Sequence, residues 1–269
     1  MGELRVIGVE GLPEVTEGMK IGELIAARAE LRDGDIVVIS QKIVSKAEGM
    51  VRCLAEVEPS ARAIELGNRL GKEPALIELI LSESREILRE DRVLITETHH
   101  GFVCANAGID TSNLPRDGTA CLLPTNPDAS ARAIRGEIGA TTVGQFQRAL
   151  KSGPHGGQNS APAEFVPAAV VIADSFGRAW RVGQAEVAIG CAGLAPLDDW
   201  RGRDDAHGRE LTATAIALAD QVAAAADLVR VKDSGVPAAI LRGLGRHVTA
   251  EDGPGAAALR RSPAEDLFR

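Results

Sequence analysis

The sequence predicts a protein that contains both β-strands and α-helices, arranged as one large domain or two closely joined ones. Residues 36–39 form a continuous apolar run, which is typical of a buried strand, whereas residues 17–29 place apolar side chains at helical spacing. At 269 residues the chain is long enough to bury a sizeable core. Tyr is absent and aromatic residues make up 3% of the chain, so this core must be built from aliphatic side chains.

The charge balance restricts the partners. The chain has 30 Lys and Arg against 38 Asp and Glu, a formal net charge of −8, and no basic stripe is visible. We therefore expect no nucleic-acid partner. An acidic protein that binds an anionic nucleotide must supply local positive charge through a metal ion, a few lysines or arginines, or backbone N–H groups.

Cysteine usage and apolar run lengths suggest a cytoplasmic protein with no membrane partner. Cys53, Cys104, Cys121 and Cys191 are scattered without metal-type spacing, and no signal peptide precedes Val6. We interpret these cysteines as reduced thiols of the core. No apolar run approaches the roughly 18 residues that a membrane span needs.

In chain order, the first elements are a strand, a turn, a helix and a second strand. The strand covers residues 4–9 and runs into Gly11 and Pro13, which mark a tight turn. The helix 17–29 and the buried strand 36–39 follow.

Residues 40–49, directly after the second strand, admit two interpretations. In the first, Ser40 or Gln41 and Lys46 converge on phosphates or a base at the strand end. In the second, the segment is a solvated loop that carries two ordinary lysines. Spacing alone favours the loop.

Residues 59–90 are predicted to be helical, and 93–97 to form a strand. Five apolar residues of the helical segment are expected to point inward: Leu66, Leu70, Ile77, Ile80 and Leu81. His99 and His100 follow the strand, but adjacent residues on an extended chain point to opposite faces, which argues against a shared zinc ion.

Residues 103–113 and 170–178 share a pattern that suggests a metal site. Each is an apolar run that leads to an Asp and then a small hydroxyl residue, Asp110 with Thr111 and Asp174 with Ser175. Carboxylate and hydroxyl oxygens at the junction of a buried strand and a loop suit Mg²⁺ or Mn²⁺. The alternative is that each Asp only caps a turn.

The second half of the chain contains further predicted strands, helices and loops. We expect a strand at 119–123, a turn at 124–128 that caps a helix beginning near Ala129, and a flexible insertion at 145–164. Arg178 and Arg181 either clamp an anion or form structural salt bridges. An Ala-rich helix at 211–228 and a ligand-contacting loop at 229–237 precede the strand 238–242.

Taken together and in order, the motifs resemble those of the coenzyme F420-0:gamma-glutamyl ligase family. The resemblance runs from about residue 6 to 244. The motifs that carry it are EGLPE, SQKIVSKAEG, NAGIDTSN, LLPTNPDASA, ADSFGRAWRVGQAEVAIG, AGLAPLDDWRGR, GRELTATAIALADQVAAAADLV and GVPAAILRGL.

This resemblance implies a fold and an activity. The fold is α+β, with mixed β-sheets, packed helices, two closely joined lobes and an intertwined homodimer. The family-like domain would cover 1–248 and leave a loosely attached tail at 249–269. The activity is GTP-dependent formation of an amide between L-glutamate and the lactyl carboxylate of coenzyme F420-0 through an acyl phosphate. Mg²⁺ or Mn²⁺ assists, as two ions, and either one glutamate or several in gamma linkage are added.

The resemblance also assigns site residues. Those that contact the nucleotide are Leu12, Pro13, Glu14, Val15, Ser40, Gln41, Lys46 and Asn113. Those that bind metal are Asp110, Asp174 and Ser175, and those with catalytic roles are Lys46, Asp110 and Asp174. For Lys46, the resemblance favours phosphate contact over the solvated loop.

Two residues, Val182 and Val231, depart from the family pattern. The resemblance therefore does not define the detailed shape of the substrate-side loops. A related amide ligase for another acid, or a module that binds nucleotide or deazaflavin without catalysis, are the alternatives. The nitroreductase-like domain fused to some relatives is missing, so no flavin site is expected.

Overall fold

The computed structural model of the chain describes residues 2–152 and 167–266. Its helices are α1 Ile21–Ala26, α2 Gln41–Ala47, α3 Ala61–Leu70, α4 Pro74–Ser82, α5 Pro127–Ser152 and α6 Leu218–Asp227. Its strands are β1 Arg5–Gly8, β2 Ile36–Ser40, β3 Val51–Cys53, β4 Ser84–Glu90, β5 Leu94–Thr98, β6 Val103–Ala105, β7 Thr119–Cys121, β8 Ala169–Arg178, β9 Arg181–Ala192, β10 Leu197–Asp199, β11 Ala215–Ala217 and β12 Ala238–Arg242.

A five-stranded mixed sheet organises the chain, with strand order β1-β12-β2-β8-β9. Strands β2 and β8 run parallel, whereas the other neighbouring pairs run antiparallel. Smaller sheets pair β4-β5-β6, β3-β7 and β10-β11. The predicted α+β class with mixed sheets and packed helices is therefore confirmed. The two lobes and the intertwined homodimer stay predictions.

Both faces of the large sheet are buried, which explains why its central strands are apolar throughout. Alternate residues of β2 point to opposite faces. Val37 and Ile39 join a core that includes residues of α1, α2 and α5, whereas Ile36 and Val38 join a core with α6. All four are fully buried.

A separate core forms where α3 and α4 pack with β5 and β7. Leu66, Ile77 and Ile80 are fully buried, as predicted, while Leu70 and Leu81 are partly buried against the same cluster. The side chain of Ser60 caps α3, and Pro74 begins α4. The predicted helical segment 59–90 is wrong at its end, because 84–90 pairs with β5 as strand β4.

Three more expectations differ from the structure. Residues 41–47 form helix α2 instead of the loop that spacing favoured. The helix expected at 211–228 begins only at Leu218, because 215–217 pairs with β10. Helix α5 continues to Ser152, so the insertion expected at 145–164 began too early; its remaining residues, 153–164, lie outside the described residues.

Up to about residue 259, the C-terminal segment is packed onto the body of the protein instead of being loosely attached as expected. The Asp128 carboxylate, in the first turn of α5, accepts backbone hydrogen bonds from Cys191 at 2.9 Å, Ala256 at 2.7 Å and Ala257 at 3.2 Å. Gly255 approaches so closely that a Cβ there would lie 2.5 Å from the Asp128 carboxyl carbon.

All four cysteines are free thiols, and three of them are buried, in line with the expected core thiols; Cys53 is only half-buried. Within the described ranges, no helix is both long and apolar enough to cross a bilayer.

Candidate active site

Helix α2 begins directly at the end of strand β2. It carries three polar residues of the candidate site, Gln41, Lys42 and Lys46. Lys42 and Lys46 are four residues apart and therefore lie on the same face of the helix. Gln41 is buried, and its Nε2 donates hydrogen bonds to Ser45 Oγ at 2.5 Å and to the Leu122 carbonyl at 3.0 Å. The helical geometry thus directs both lysines to one side and fixes Gln41 against the protein.

Both lysines line a cleft of about 560 Å³. One wall is the 12–15 turn after β1, and the opposite wall is the loop that precedes β12. Of the residues predicted to contact the nucleotide, those that line this cleft are Leu12, Pro13, Glu14, Val15, Ser40, Lys46 and Asn113.

A second cavity of about 400 Å³ adjoins the cleft and is lined by the remaining predicted residues, Gln41, Asp174 and Ser175. The residues that line both spaces are Ser40, Lys42, Asp110, Ser112, Glu186 and Lys232. We call this shared boundary the junction. The structure therefore brings every predicted site residue to one pair of connected spaces, while the roles of these residues stay predictions.

Asp110 lies in a loop of unusual backbone geometry. Upstream of it, Asn106 and Ala107 are both left-handed, with φ of 52° and 54°. Strained backbone of this kind concentrates at functional sites. The Asp110 carboxylate accepts hydrogen bonds from the Ser112 N–H at 2.7 Å and from Lys42 Nζ at 2.8 Å. Partial burial opposes its ionisation, but these hydrogen bonds outweigh that effect, and the pKa of Asp110 is lowered.

Asp174 has a different setting from the one predicted. It does not lie where a strand meets a loop, because β8 continues past it and pairs with β9, placing Asp174 opposite Val187. The apolar run ends because the strand leaves the core. Burial is the main reason that the pKa of Asp174 is raised to about 7, with added repulsion from Glu186 and Asp110.

A chain of polar contacts links Ser175 to the loop before β12. Lys232 Nζ donates to Ser175 Oγ at 2.8 Å, and the Ser175 hydroxyl donates to Glu186 Oε1 at 2.6 Å. Glu186 Oε2 in turn accepts from Arg230 Nη2 at 3.0 Å. The side chains of Glu186 and Arg230 are 8% and 4% exposed. This buried ion pair ties the hairpin that carries the proposed metal residues to the wall of the cleft.

Sequence reasoning missed Lys42, Glu186, Arg230 and Lys232 as parts of the site. The loop that contains Arg230 and Lys232 was expected to contact a ligand, but nothing in its pattern singled out these residues. Glu186 immediately precedes an apolar run, and only the strand pairing shows that it opposes Ser175.

Lys46 is nearly buried, yet its ion-pair partner is exposed. Its Nζ lies 2.6 Å from Glu14 Oε1, and the two side chains are 9% and 61% exposed. Glu14 belongs to the turn predicted to contact the nucleotide. An exposed carboxylate can leave this ammonium at little cost, so Lys46 is available to an incoming anion.

The arginine clamp considered for Arg178 and Arg181 is not supported. Both residues are exposed near the end of the β8–β9 hairpin, and neither lines the cleft or the second cavity. Arg178 Nη2 instead donates to the Val182 carbonyl at 3.2 Å.

The donor set formed by Asp110 at the junction and by Asp174 and Ser175 in the second cavity fits a hard divalent cation. Two carboxylates and one hydroxyl, from Asp110, Asp174 and Ser175, face connected spaces that are large enough for phosphate groups. Mg²⁺ and Mn²⁺ commonly take one or two carboxylates and complete their coordination with water and phosphate oxygens. Among the described residues, no three His, Cys, Asp or Glu side chains are grouped closely enough to hold an ion on their own.

Comparisons with known proteins identify the family to which the sequence is similar. A sequence model of the family described as F420-0:Gamma-glutamyl ligase matches residues 11–147 and 165–243. The chain is 42% identical to the Coenzyme F420:L-glutamate ligase of Methanothermobacter thermautotrophicus, over 99% of both chains. It is also 42% identical to the Methanopyrus kandleri protein of the same name over 100% of both, and 38% identical to that of Archaeoglobus fulgidus over 99% of this chain and 96% of the relative.

Proposed function

The chain belongs to the coenzyme F420-0:gamma-glutamyl ligase family, and from this membership we propose that it joins L-glutamate to the lactyl carboxylate of coenzyme F420-0 at the expense of GTP. The observation that carries the proposal is the junction. On its two sides, the cleft is lined by most of the residues expected to bind nucleotide and the second cavity by the residues expected to bind metal, and Ser40 and Asp110 line both spaces.

Two connected spaces suit the transfer of a phosphoryl group. The attacking and leaving oxygens lie roughly in line on opposite sides of the transferred phosphorus. GTP in the cleft would place its terminal phosphate at the junction, and the carboxylate that accepts the phosphoryl group would approach from the second cavity. The proposal thus assigns the cleft to the nucleotide and the second cavity to the acid.

Activation of the acid is required because a carboxylate has oxide as its leaving group. In the first step, a carboxylate oxygen of F420-0 attacks the γ-phosphorus of GTP. The bond from this phosphorus to the bridging oxygen breaks, and GDP leaves with the electron pair. In the second step, the unprotonated amine of L-glutamate attacks the acyl carbon, phosphate leaves, and the nitrogen loses its proton.

The residues of the chain contribute positioning and charge. Lys46 and Lys42, on one face of α2, and Lys232, from the facing loop, supply fixed positive charge next to the phosphates. Mg²⁺ or Mn²⁺, as two ions held through Asp110, Asp174 and Ser175, would neutralise the charge that develops on the phosphate oxygens.

The direct test is incubation of the purified protein with F420-0, L-glutamate, GTP and Mg²⁺ or Mn²⁺, with products identified by mass. We expect F420-0 extended by one or more glutamyl units, together with GDP and phosphate. GTP consumption with a different acid, but not with F420-0, would identify a related amide ligase. Binding of GTP or F420-0 without any product would identify a non-catalytic module. Omission of each component in turn, and replacement of GTP by ATP, complete the test.

A further inference from the structure

A third cavity of about 400 Å³ lies beside the second and shares the Phe176 side chain with it. Two aromatic rings line this third cavity. The Phe102 and Phe176 rings meet edge to face, with centroids 6.2 Å apart, and Val103 beside them is 46% exposed. The chain has only five Phe residues, so two of them side by side at a cavity are a notable concentration of aromatic surface.

Positive charge accompanies these rings. The Arg260 guanidinium lies over the Phe102 ring, 5.8 Å from its centroid. Its neighbour Arg261 lines the same cavity, as does Arg85, which pairs with Glu97 at 2.9 Å. Within the described part of the chain, neither Arg260 nor Arg261 forms an ion pair. Two carboxylates, Glu97 and Asp266, line the same cavity, so its three arginines leave a net positive charge. Aromatic faces beside an excess of positive charge suit a planar, anionic ligand.

The nucleotide cleft has the opposite character. Among the described residues, its lining includes no aromatic side chain. It contains instead Lys42 and Lys46 of helix α2. The cleft therefore offers nothing on which a tricyclic ring could stack, whereas the third cavity does. Of the cleft and the two cavities, the third cavity is the one with chemistry suited to a deazaflavin.

The geometry of phosphoryl transfer also favours the third cavity as the site of the deazaflavin. In the proposed function, GTP fills the cleft, and the lactyl carboxylate reaches the junction from the second cavity. The remainder of the F420-0 molecule must then extend away from the nucleotide. Phe176 lines both the second and the third cavity, so the third cavity is a space into which this part of the molecule can extend.

We propose that the third cavity, built around Phe102, Phe176 and Arg260, binds the deazaflavin end of the acid substrate. The two phenylalanine rings contact the planar ring system, and Arg260 provides a cation for its anionic groups. This inference rests on the proposed function, because it takes the lactyl carboxylate to lie at the junction. It gives the C-terminal segment, through Arg260, a role in substrate recognition.

The test measures binding separately from turnover. F420-0 is titrated into the protein in the presence of GDP and Mg²⁺, and its affinity is followed through the intrinsic fluorescence of the deazaflavin. Arg260→Ala and Phe176→Leu should each weaken F420-0 binding about tenfold, typical of the loss of one stacking or cation contact. Arg260→Lys, which keeps the charge but loses the planar group, should fall between Arg260→Ala and the parent.

The control is Arg132→Ala, which removes an exposed arginine of α5 that lines none of the three cavities. It should leave the affinity for F420-0 unchanged. The Michaelis constant for GTP should be unchanged in all four variants, because the cleft is not altered. Melting temperatures verify that each variant is folded.

The outcomes separate this inference from the proposed function. Parental affinity for F420-0 in both Arg260→Ala and Phe176→Leu would overturn the inference, even if the protein ligates glutamate as proposed. Weakened binding in the variants of a protein that makes no product would support the inference and refute the proposed function. A change in molecular mass by light scattering, with F420-0 affinity intact, would identify the surface as a subunit contact and overturn the inference. A parent protein that binds no F420-0 would overturn both.

Discussion

Asp110 and Asp174 are assigned to the same metal site, but the protein treats their charges in opposite ways. Asp110 is in a loop, and Lys42 neutralises it at 2.8 Å. Asp174 is inside a strand, poorly solvated and close to Glu186 and Asp110, so its pKa is raised to about 7. In the metal-free protein, one carboxylate is therefore already paired and the other is not. Much of the favourable interaction with an added cation should come from the Asp174 side.

If Asp110 and Asp174 hold the same cation, the reaction needs both carboxylates. Asp110→Asn or Asp174→Asn should lower the rate of glutamate ligation by more than about a hundredfold, because each removes a charged ligand from the proposed cation. Asp91→Asn, at an exposed carboxylate outside the cavities, is the matched control. Near-parental ligation by either variant at ordinary Mg²⁺ concentrations would remove that residue from the metal site.

The part of the site around Asp174 also depends on the buried ion pair of Glu186 and Arg230. Arg230→Ala should destabilise the protein by about 3–5 kcal/mol, because it leaves the Glu186 carboxylate buried without its cation. The combined change Arg230→Met and Glu186→Gln removes both charges and should cost less than Arg230→Ala alone. Chemical denaturation measures each free energy of unfolding. A larger loss in the double variant would show that the pair contributes net stability beyond compensating its own burial.

The unequal pKa values predict a pH dependence of stability for the metal-free protein. The folded state holds the Asp174 proton up to about pH 7, whereas the unfolded chain releases it near the ordinary pKa of an Asp. The folded state thus binds more protons between these values, and the contribution of Asp174 to stability falls as pH rises through that window. Asp174→Asn should be more stable than the parent at pH 8 by on the order of 2–4 kcal/mol, with the difference vanishing near pH 4.

Thermal melts with a chelator present, at several pH values, check this prediction. Added Mn²⁺ should raise the melting temperature of the parent more at pH 8 than at pH 6, because the cation competes with the proton for Asp174. Asp110→Asn is the contrasting variant. It loses the contacts of Lys42 and Ser112 and should be less stable than the parent. Equal pH profiles for the parent and Asp174→Asn would contradict the raised pKa.

The smallest expected effects concern the two lysines of α2, which share one helical face. Lys46→Ala and Lys42→Ala should each impair GTP use by about 1.5–3 kcal/mol, or roughly ten- to a hundredfold, as expected for a lost charge-assisted hydrogen bond. Metal binding distinguishes them. Lys42→Ala removes a cation from Asp110 and should tighten Mn²⁺ binding by on the order of 1 kcal/mol, whereas Lys46→Ala should not.

Isothermal titration with Mn²⁺ and initial rates against GTP concentration test this pair. Unchanged Mn²⁺ affinity in Lys42→Ala would mean that the Lys42–Asp110 ion pair of the parent protein does not weaken metal binding. Unimpaired GTP use in Lys46→Ala would refute its predicted contact with phosphate.

Features that are set by a local pattern of apolar residues could be predicted from the sequence. Strands β2 and β12 are continuous apolar runs because both faces of the sheet are buried, and Leu66, Ile77 and Ile80 follow helical spacing. The segment after β2 was misjudged because α2 has seven residues, about two turns, which is too short for a clear helical pattern.

The predicted site residues came from ordered motifs, whereas the missed ones act through pairing across the chain. Asp110 and Lys42 are 68 residues apart, and Glu186 and Arg230 are 44 apart. A single polar residue gives no sign of its distant partner. Strand register determines that Glu186 lies opposite Ser175, and this register was not visible because the polar part of the β8–β9 hairpin resembles a loop.

The contacts of Asp128 carry a consequence for how the chain is made. Asp128 is synthesised well before two of its three backbone donors, Ala256 and Ala257. Domains fold progressively from the N-terminus during synthesis. The nascent chain can therefore assemble the large sheet and the cleft while Asp128 still lacks these donors. The contact of Arg260 with the Phe102 ring likewise forms only after the segment that carries Ala256 and Ala257 has been synthesised.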